Sequence, residues 1–164
     1  MITLDFAAWF APARGSGFTQ CLVMVDKLTR FVCFEACSVQ ATAEDTARIF
    51  LRRIVPLFGV PRAVISDCGP KFTAAVWKEV LGVMGSKVAL AATHHPQTNG
   101  QSERGVRELA RLVRTYTAAV PEEWADLLPL LEVAWNRAPN STTKLSPHEA
   151  VFGRPFRTSL HWLR

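Results

Sequence analysis

No uncharged apolar run in this sequence approaches the roughly 18 residues that a membrane-spanning helix needs. No basic opening stretch precedes an apolar one, so no signal peptide is expected. The cysteines Cys21, Cys33, Cys37 and Cys68 lack the paired spacing of a zinc ribbon. Three of them fall in apolar, strand-like runs, where a buried free thiol is the usual state, so a reducing, intracellular compartment is expected. Internal repeats and low-complexity segments are also missing. The triplet Asn140-Ser141-Thr142 matches a glycosylation site and, without a signal peptide, is read as chance.

What is present is material for a core. Hydrophobic residues make up 49% of the 164, which excludes a disordered chain and suffices for one domain. The prolines lie mostly between periodic segments. Net charge is +5, with arginine far outnumbering lysine. Guanidinium forks match phosphate geometry, so an anionic polymer is a fair partner. Charge alone does not settle this, since many basic domains bind no nucleic acid.

Three strands come first: Ile2 to Ala7, Thr19 to Val25, and Thr29 to Cys37. The tight turn Asp26-Lys27-Leu28 makes the last two antiparallel. Thr42 caps a helix with Glu44 and Asp45 in its first turn, and Pro56 ends or kinks it. Arg62 to Ser66 is a buried fourth strand, parallel to a neighbour because a helix precedes it. Thr73 caps a helix ending at Gly85, and Lys87 to Ala92 is a fifth strand. The breaker-rich HHPQTNG is a loop. Gln101 to about Ala119 is the longest helix. Pro121 starts the next, with a kink at Pro129. Ser146-Pro147-His148-Glu149 is a capping box opening a short helix that Gly153 ends. The class is α/β: a mixed five-stranded sheet, three antiparallel strands then two parallel, flanked by helices.

Three acids stand out. Asp5 interrupts an apolar strand. Asp67 follows the strand AVIS at its C-terminal end, where open α/β sheets bind ligands. Glu103 opens the long helix, with 35 residues between it and Asp67. Each alone has an ordinary reading: an edge residue, a turn, a dipole-favoured helix start. Clustered, they would need cations, because neighbouring carboxylates cannot all ionise unaided. Oxygen ligands with open positions suit magnesium or manganese, and a two-ion site suits phosphoryl transfer on DNA.

At 100° per residue, Glu103, Arg107, Arg111 and Arg114 share one face of the long helix. Val106, Leu109, Leu112, Val113 and Tyr116 share the opposite one. The first face is a candidate phosphate track, although solvated basic faces are common. His94 and His95 are open to two readings, metal ligation or, more usually for loop histidines, hydrogen bonding or substrate contact. Trp77, Trp124 and Trp135 could serve core or interface, and core is the preferred assignment.

The stretches VISDCGPKFTAAVWKEVLGVMG, HHPQTNGQSERGVREL and WADLLPLLEVAWNRAPNSTTKLSPHEAVFGRP resemble the integrase catalytic core of gypsy-type LTR retrotransposons and related retroviruses. The likeness covers nearly the whole chain. It implies an RNase H-like fold with the first and fourth strands adjacent. It implies a D,D-35-E triad mapping onto Asp5, Asp67 and Glu103, which would be both catalytic residues and Mg2+ or Mn2+ ligands. The activity implied is that of a polynucleotidyl transferase and endonuclease: trimming of element DNA ends, then joining of 3′ hydroxyls to target DNA. Arg104, Arg107, Arg111, His95, Gln97 and Asn99 are the candidate DNA contacts. A homodimer or higher oligomer and a nuclear place of work are expected. Cys68 stands where the family usually has Arg, Lys71 where Gln is common, His94 for a frequent Tyr and Asn99 for a frequent Asp. Residues 1–164 read as the core domain alone, cut at a domain edge, without the family's zinc-binding and C-terminal domains.

Two rival readings remain. One is a domesticated host protein that keeps the domain for DNA binding or self-association without catalysis, against which the three acids argue. The other is a different RNase H-like nuclease acting on hybrids, against which HPQTNGQSER argues.

Overall fold

The structure is a computed structural model describing residues 1–7, 10–66, 69–90, 108, 111–112, 115–116, 119–141 and 143–157. Five strands, β1 (Ile2–Ala7), β2 (Gln20–Asp26), β3 (Val32–Cys37), β4 (Ala63–Ser66) and β5 (Lys87–Leu90), form one sheet in the order β3-β2-β1-β4-β5. The first three are antiparallel; β4 pairs parallel with both β1 and β5. The first and fourth strands are therefore neighbours, as the resemblance implies.

The hairpin between β2 and β3 is longer than the expected Asp26-Lys27-Leu28 turn, and β3 starts at Val32 rather than Thr29. Asp26 Oδ2 accepts from the Thr29 amide at 2.9 Å and from its hydroxyl at 2.8 Å. Arg30 takes a left-handed φ of 66°, so the turn consumes these residues before pairing resumes.

α1 (Ala43–Arg53) opens on a complete Thr42–Asp45 capping box. It stops short of Pro56, which lies instead in the first turn of the short α2 (Val55–Phe58), where a missing N–H costs nothing. Thr73 does not cap a helix. Pro70 starts a helical turn earlier than expected, α3 (Pro70–Thr73), and the Thr73 hydroxyl donates to Gly69 O at 3.3 Å. Ala74 then leads into α4 (Ala75–Val83) without a side-chain cap. Pro121–Glu123 form a 3-10 turn leading into α5 (Trp124–Arg137). Pro129 lies inside α5, which continues through it to Arg137. α6 (Pro147–Phe152) has the expected Ser146–Glu149 capping box, and Gly153 closes it at φ 67°. No helix among the described residues is long and apolar enough to cross a membrane.

Strand alternation sends side chains to two faces. Leu4, Leu22, Met24 and Cys33 pack with Phe50 of α1 and Trp77 of α4 on one face. Val23, Val25, Val32 and Phe34 pack with Trp124 and Leu128 of α5 on the other. Each such fully buried side chain contributes about 1.5–3 kcal/mol. Trp77 and Trp124 are core, as preferred; Trp135 is half-buried. Cys21, Cys33 and Cys37 are buried free thiols, and burial pushes the Cys33 thiol up to about 12. Cys68 lies outside the described residues.

β3 is an edge strand whose free backbone α5 covers. Asn136 Oδ1 accepts from the Val32 amide at 2.9 Å, and Asn136 Nδ2 donates to Val32 O at 2.8 Å. Glu132 Oε2 accepts from the Phe34 amide at 2.9 Å. Glu132 also receives Arg53 of α1, so the two helices meet around the sheet's rim. At Val32 both backbone groups, and at Phe34 the amide, are thereby withheld from a foreign strand.

Candidate active site

The candidate site lies on β1 beside the C-terminal end of β4. Asp5 faces Val23 across the antiparallel ladder, and Val23 faces Phe34. Opposed residues share a face, so Asp5 belongs to the side covered by α5. It is half-buried, and its Oδ1 accepts from the Phe6 amide at 2.8 Å. β4 accompanies β1 in parallel as far as the pair Leu4 and Ser66. β4 ends at that level while β1 runs on to Ala7, so Asp5 lies just beyond the C-terminal end of β4, where open α/β sheets present ligand groups.

Asp67 and Glu103 lie outside the described residues, as do His95, Gln97, Asn99, Arg104 and Arg107. Of the expected triad the structure places Asp5 alone. Among the described residues no three His, Cys, Asp or Glu side chains form a group that could hold a metal.

From Gly69 onward the chain is held firmly against β1. Phe72 of α3 is fully buried and stacks on Phe6 with ring centroids 5.3 Å apart. The Lys71 ammonium lies 4.5 Å from the centroid of the Phe6 ring and donates to Val39 O at 3.0 Å. Lys71 is not among the site residues that the sequence suggests. Its placement one residue before a buried phenylalanine, just after Gly69-Pro70, is the available signal.

Arg111 is the one candidate DNA contact among the described residues. Glu108, Arg111, Leu112, Thr115 and Tyr116 are helical, within the expected long helix. Leu112 packs against the α5-side core, as its face requires. Tyr116 does not follow: it is 67% exposed. It lines, with Arg111, Val25, Val32 and Trp135, an open groove of about 970 Å3 beside α5. Arg111 is exposed but engaged, its Nη2 lying 2.6 Å from Glu108 Oε1. The hydrogen bond to Arg111 holds the Glu108 carboxyl below its ordinary value, and its counterpart raises the guanidinium. The Glu108 spacing of three residues is legible in the sequence as a helical ion pair.

A family model described as integrase core domain matches residues 1–96. The chain belongs to the integrase core domain family. It is 31% identical over 150 residues to the polyproteins of transposons Tf2-3 and Tf2-4 of Schizosaccharomyces pombe. The match takes in 92% of this chain and 11% of each polyprotein, so the chain spans about a ninth of their length. Among solved structures it resembles the catalytic core domain of BIV integrase, with 22% identity, a TM-score of 0.72 and 93% of each chain covered. It also resembles a chain of the simian T-cell lymphotropic virus intasome in complex with PP2A regulatory subunit B56 gamma. There identity is 15%, the TM-score is 0.75, and 96% of this chain and 55% of that one are covered. At such identities these neighbours establish the fold, which is the RNase H-like arrangement of integrase cores.

Proposed function

We propose that this integrase core catalyses metal-dependent processing of DNA 3′ ends and their transfer to target DNA. The observation that carries the reading is the parallel pairing of Leu4 with Ser66. The residues that follow them in the sequence are Asp5 and Asp67, so a β4 path continued by one residue would bring the second carboxylate beside the first on strands about 4.8 Å apart. The helix containing Glu108 and Arg111 supports a third. Arg111 shares its groove with Val25 and Val32, which lie two residues along their strands from the level of Asp5. A helix continued eight residues back from Arg111 would carry Glu103 about 12 Å along its axis, ample to reach past that level.

The donor set fits a hard divalent cation: carboxylate oxygens, with Asp5 half-buried within β1 and its Oδ1 oriented by the Phe6 amide. Asp5, Asp67 and Glu103 would hold Mg2+ or Mn2+. When bound, such ions supply activation of the attacking oxygen and neutralisation of the leaving one. The chain's own share is placement. β1 fixes Asp5 on a paired strand and the Phe6 amide orients it, β4 would lead into Asp67, and the α5-side core seats Leu112 of the helix that would bring Glu103. Arg104, Arg107 and Arg111, with His95, Gln97 and Asn99, would contact the DNA, arginine positioning its backbone without reading sequence. Self-association and work in the nucleus belong to the same reading.

The test is disintegration, the reverse of strand transfer, on a branched DNA with Mg2+ or Mn2+ and with chelator. Metal-dependent resolution that disappears in Asp67→Asn is expected. A folded, DNA-binding chain without that activity, alone and in a longer form carrying its flanking regions, would instead identify a binding module that no longer cuts.

A further inference from the structure

We propose that Lys71 is a positioning residue for Asp5, acting through Phe6. The inference rests on the reading of Asp5 as a catalytic carboxylate. Three contacts carry it. The Lys71 ammonium lies over the Phe6 ring at 4.5 Å, a cation–π distance. The same ammonium donates to Val39 O at 3.0 Å, in the loop between β3 and α1, which fixes where the charge sits. Phe6 in turn donates its amide to Asp5 Oδ1 at 2.8 Å.

Phe6 is thus gripped from two sides, by the Phe72 ring stacked at 5.3 Å and by the Lys71 charge. Its backbone carries that restraint to the carboxylate. Since Lys71 and Phe72 both belong to α3, the clamp also ties the chain beyond Asp67 to the strand that bears Asp5. Ser66 is fixed in the sheet and α3 on Phe6, the described residues on either side of positions 67 and 68 in the chain. Lys71 gives a hydrogen bond and its charge to the protein's own groups, which distinguishes it from a side chain engaged only with phosphate.

The experiment compares this chain with Lys71→Met, Lys71→Arg, Phe6→Leu and the Lys71→Met/Phe6→Leu double variant. Amide hydrogen exchange at Phe6 is read by NMR, and kcat and KM for branched DNA by disintegration. Lys71→Met keeps the aliphatic stem and removes the charge. It should speed Phe6 exchange and lower kcat, each about tenfold, the scale of one cation–π interaction, with KM for DNA unchanged. Lys71→Arg restores both. The double variant should lose no more than Phe6→Leu alone, because the two residues act through one interaction. Unchanged Phe6 exchange in Lys71→Met overturns the proposal whatever the activity. So does a defect confined to KM with a flatter salt dependence, which would make Lys71 a phosphate ligand. An inactive parent chain would sink the catalytic reading alone, because the exchange comparison still decides whether Lys71 orients the Asp5 strand.

Discussion

Leu4 and Ser66 are partners in the parallel ladder between β1 and β4, and each immediately precedes an aspartate in the chain. A pairing one residue out of register would move Asp5 to the face now taken by Leu4, since side chains alternate along a strand. The integrity of this short parallel pair therefore matters more to the site than any single contact around it.

Asp5→Asn and Glu103→Gln should each reduce metal-dependent disintegration to background while leaving the thermal midpoint at or above that of the parent. Amide isosteres keep the shape and remove the charge that a cation requires. A Glu103→Gln chain with full activity would show that the third acid has been misassigned.

Replacing Arg107 and Arg111 together by alanine should flatten the salt dependence of DNA binding. For every phosphate that a side chain no longer neutralises, the slope of log K against log salt falls by roughly 0.9. Because Glu108 engages Arg111, Glu108→Gln should release the guanidinium and tighten binding at low salt. Fluorescence anisotropy across a salt series reads both. If the slope does not change, the DNA runs along another surface.

Asn136→Ala should destabilise the fold by about 3 kcal/mol, read as a lower urea midpoint at constant m-value. Val32 is buried, and the substitution strands its amide and its carbonyl together. A destabilisation below about 0.5 kcal/mol would mean that water reaches this edge and replaces the side chain.

Acid sensitivity should come partly from the two capping boxes. The Thr42 amide and hydroxyl hold Asp45 below its ordinary 3.8, and the Ser146 hydroxyl and amide hold Glu149 below its ordinary 4.5. Carboxyls depressed by folding stabilise fully above their unfolded values and lose that contribution as pH falls through the folded ones. The thermal midpoint should therefore drop below about pH 4.5, and drop less steeply in Asp45→Asn/Glu149→Gln. Parallel curves for the two proteins would assign the acid sensitivity to other carboxylates.

Local chemistry makes much of this fold readable. Thr42-Ala-Glu-Asp45 and Ser146-Pro-His-Glu149 declare their helix starts because the capping partners are three residues apart. Thr73 misleads, because a proline three residues earlier starts helical structure first. The β2–β3 turn outruns its apolar patterning because Asp26 draws in Thr29 and lets Arg30 adopt φ 66°. Tyr116 has the helical phase of a core residue yet lines an open groove. Of the site, the acids and their order along the chain are legible. The hold of Lys71 on Phe6 is not, since the two residues are brought together only by the adjacency of β1 and β4.

The cover on β3 has a consequence in time. Val32 and the asparagine that completes its hydrogen bonding are 104 positions apart. At a synthesis rate of about 5–20 residues per second, the ribosome needs on the order of 5–20 s to add that stretch. During that interval the β2–β3 hairpin exists with its outer edge open to any other nascent strand. Chains terminated before Asn136 would keep that edge open permanently and should collect as aggregates, whereas chains extending past α5 should stay dispersed.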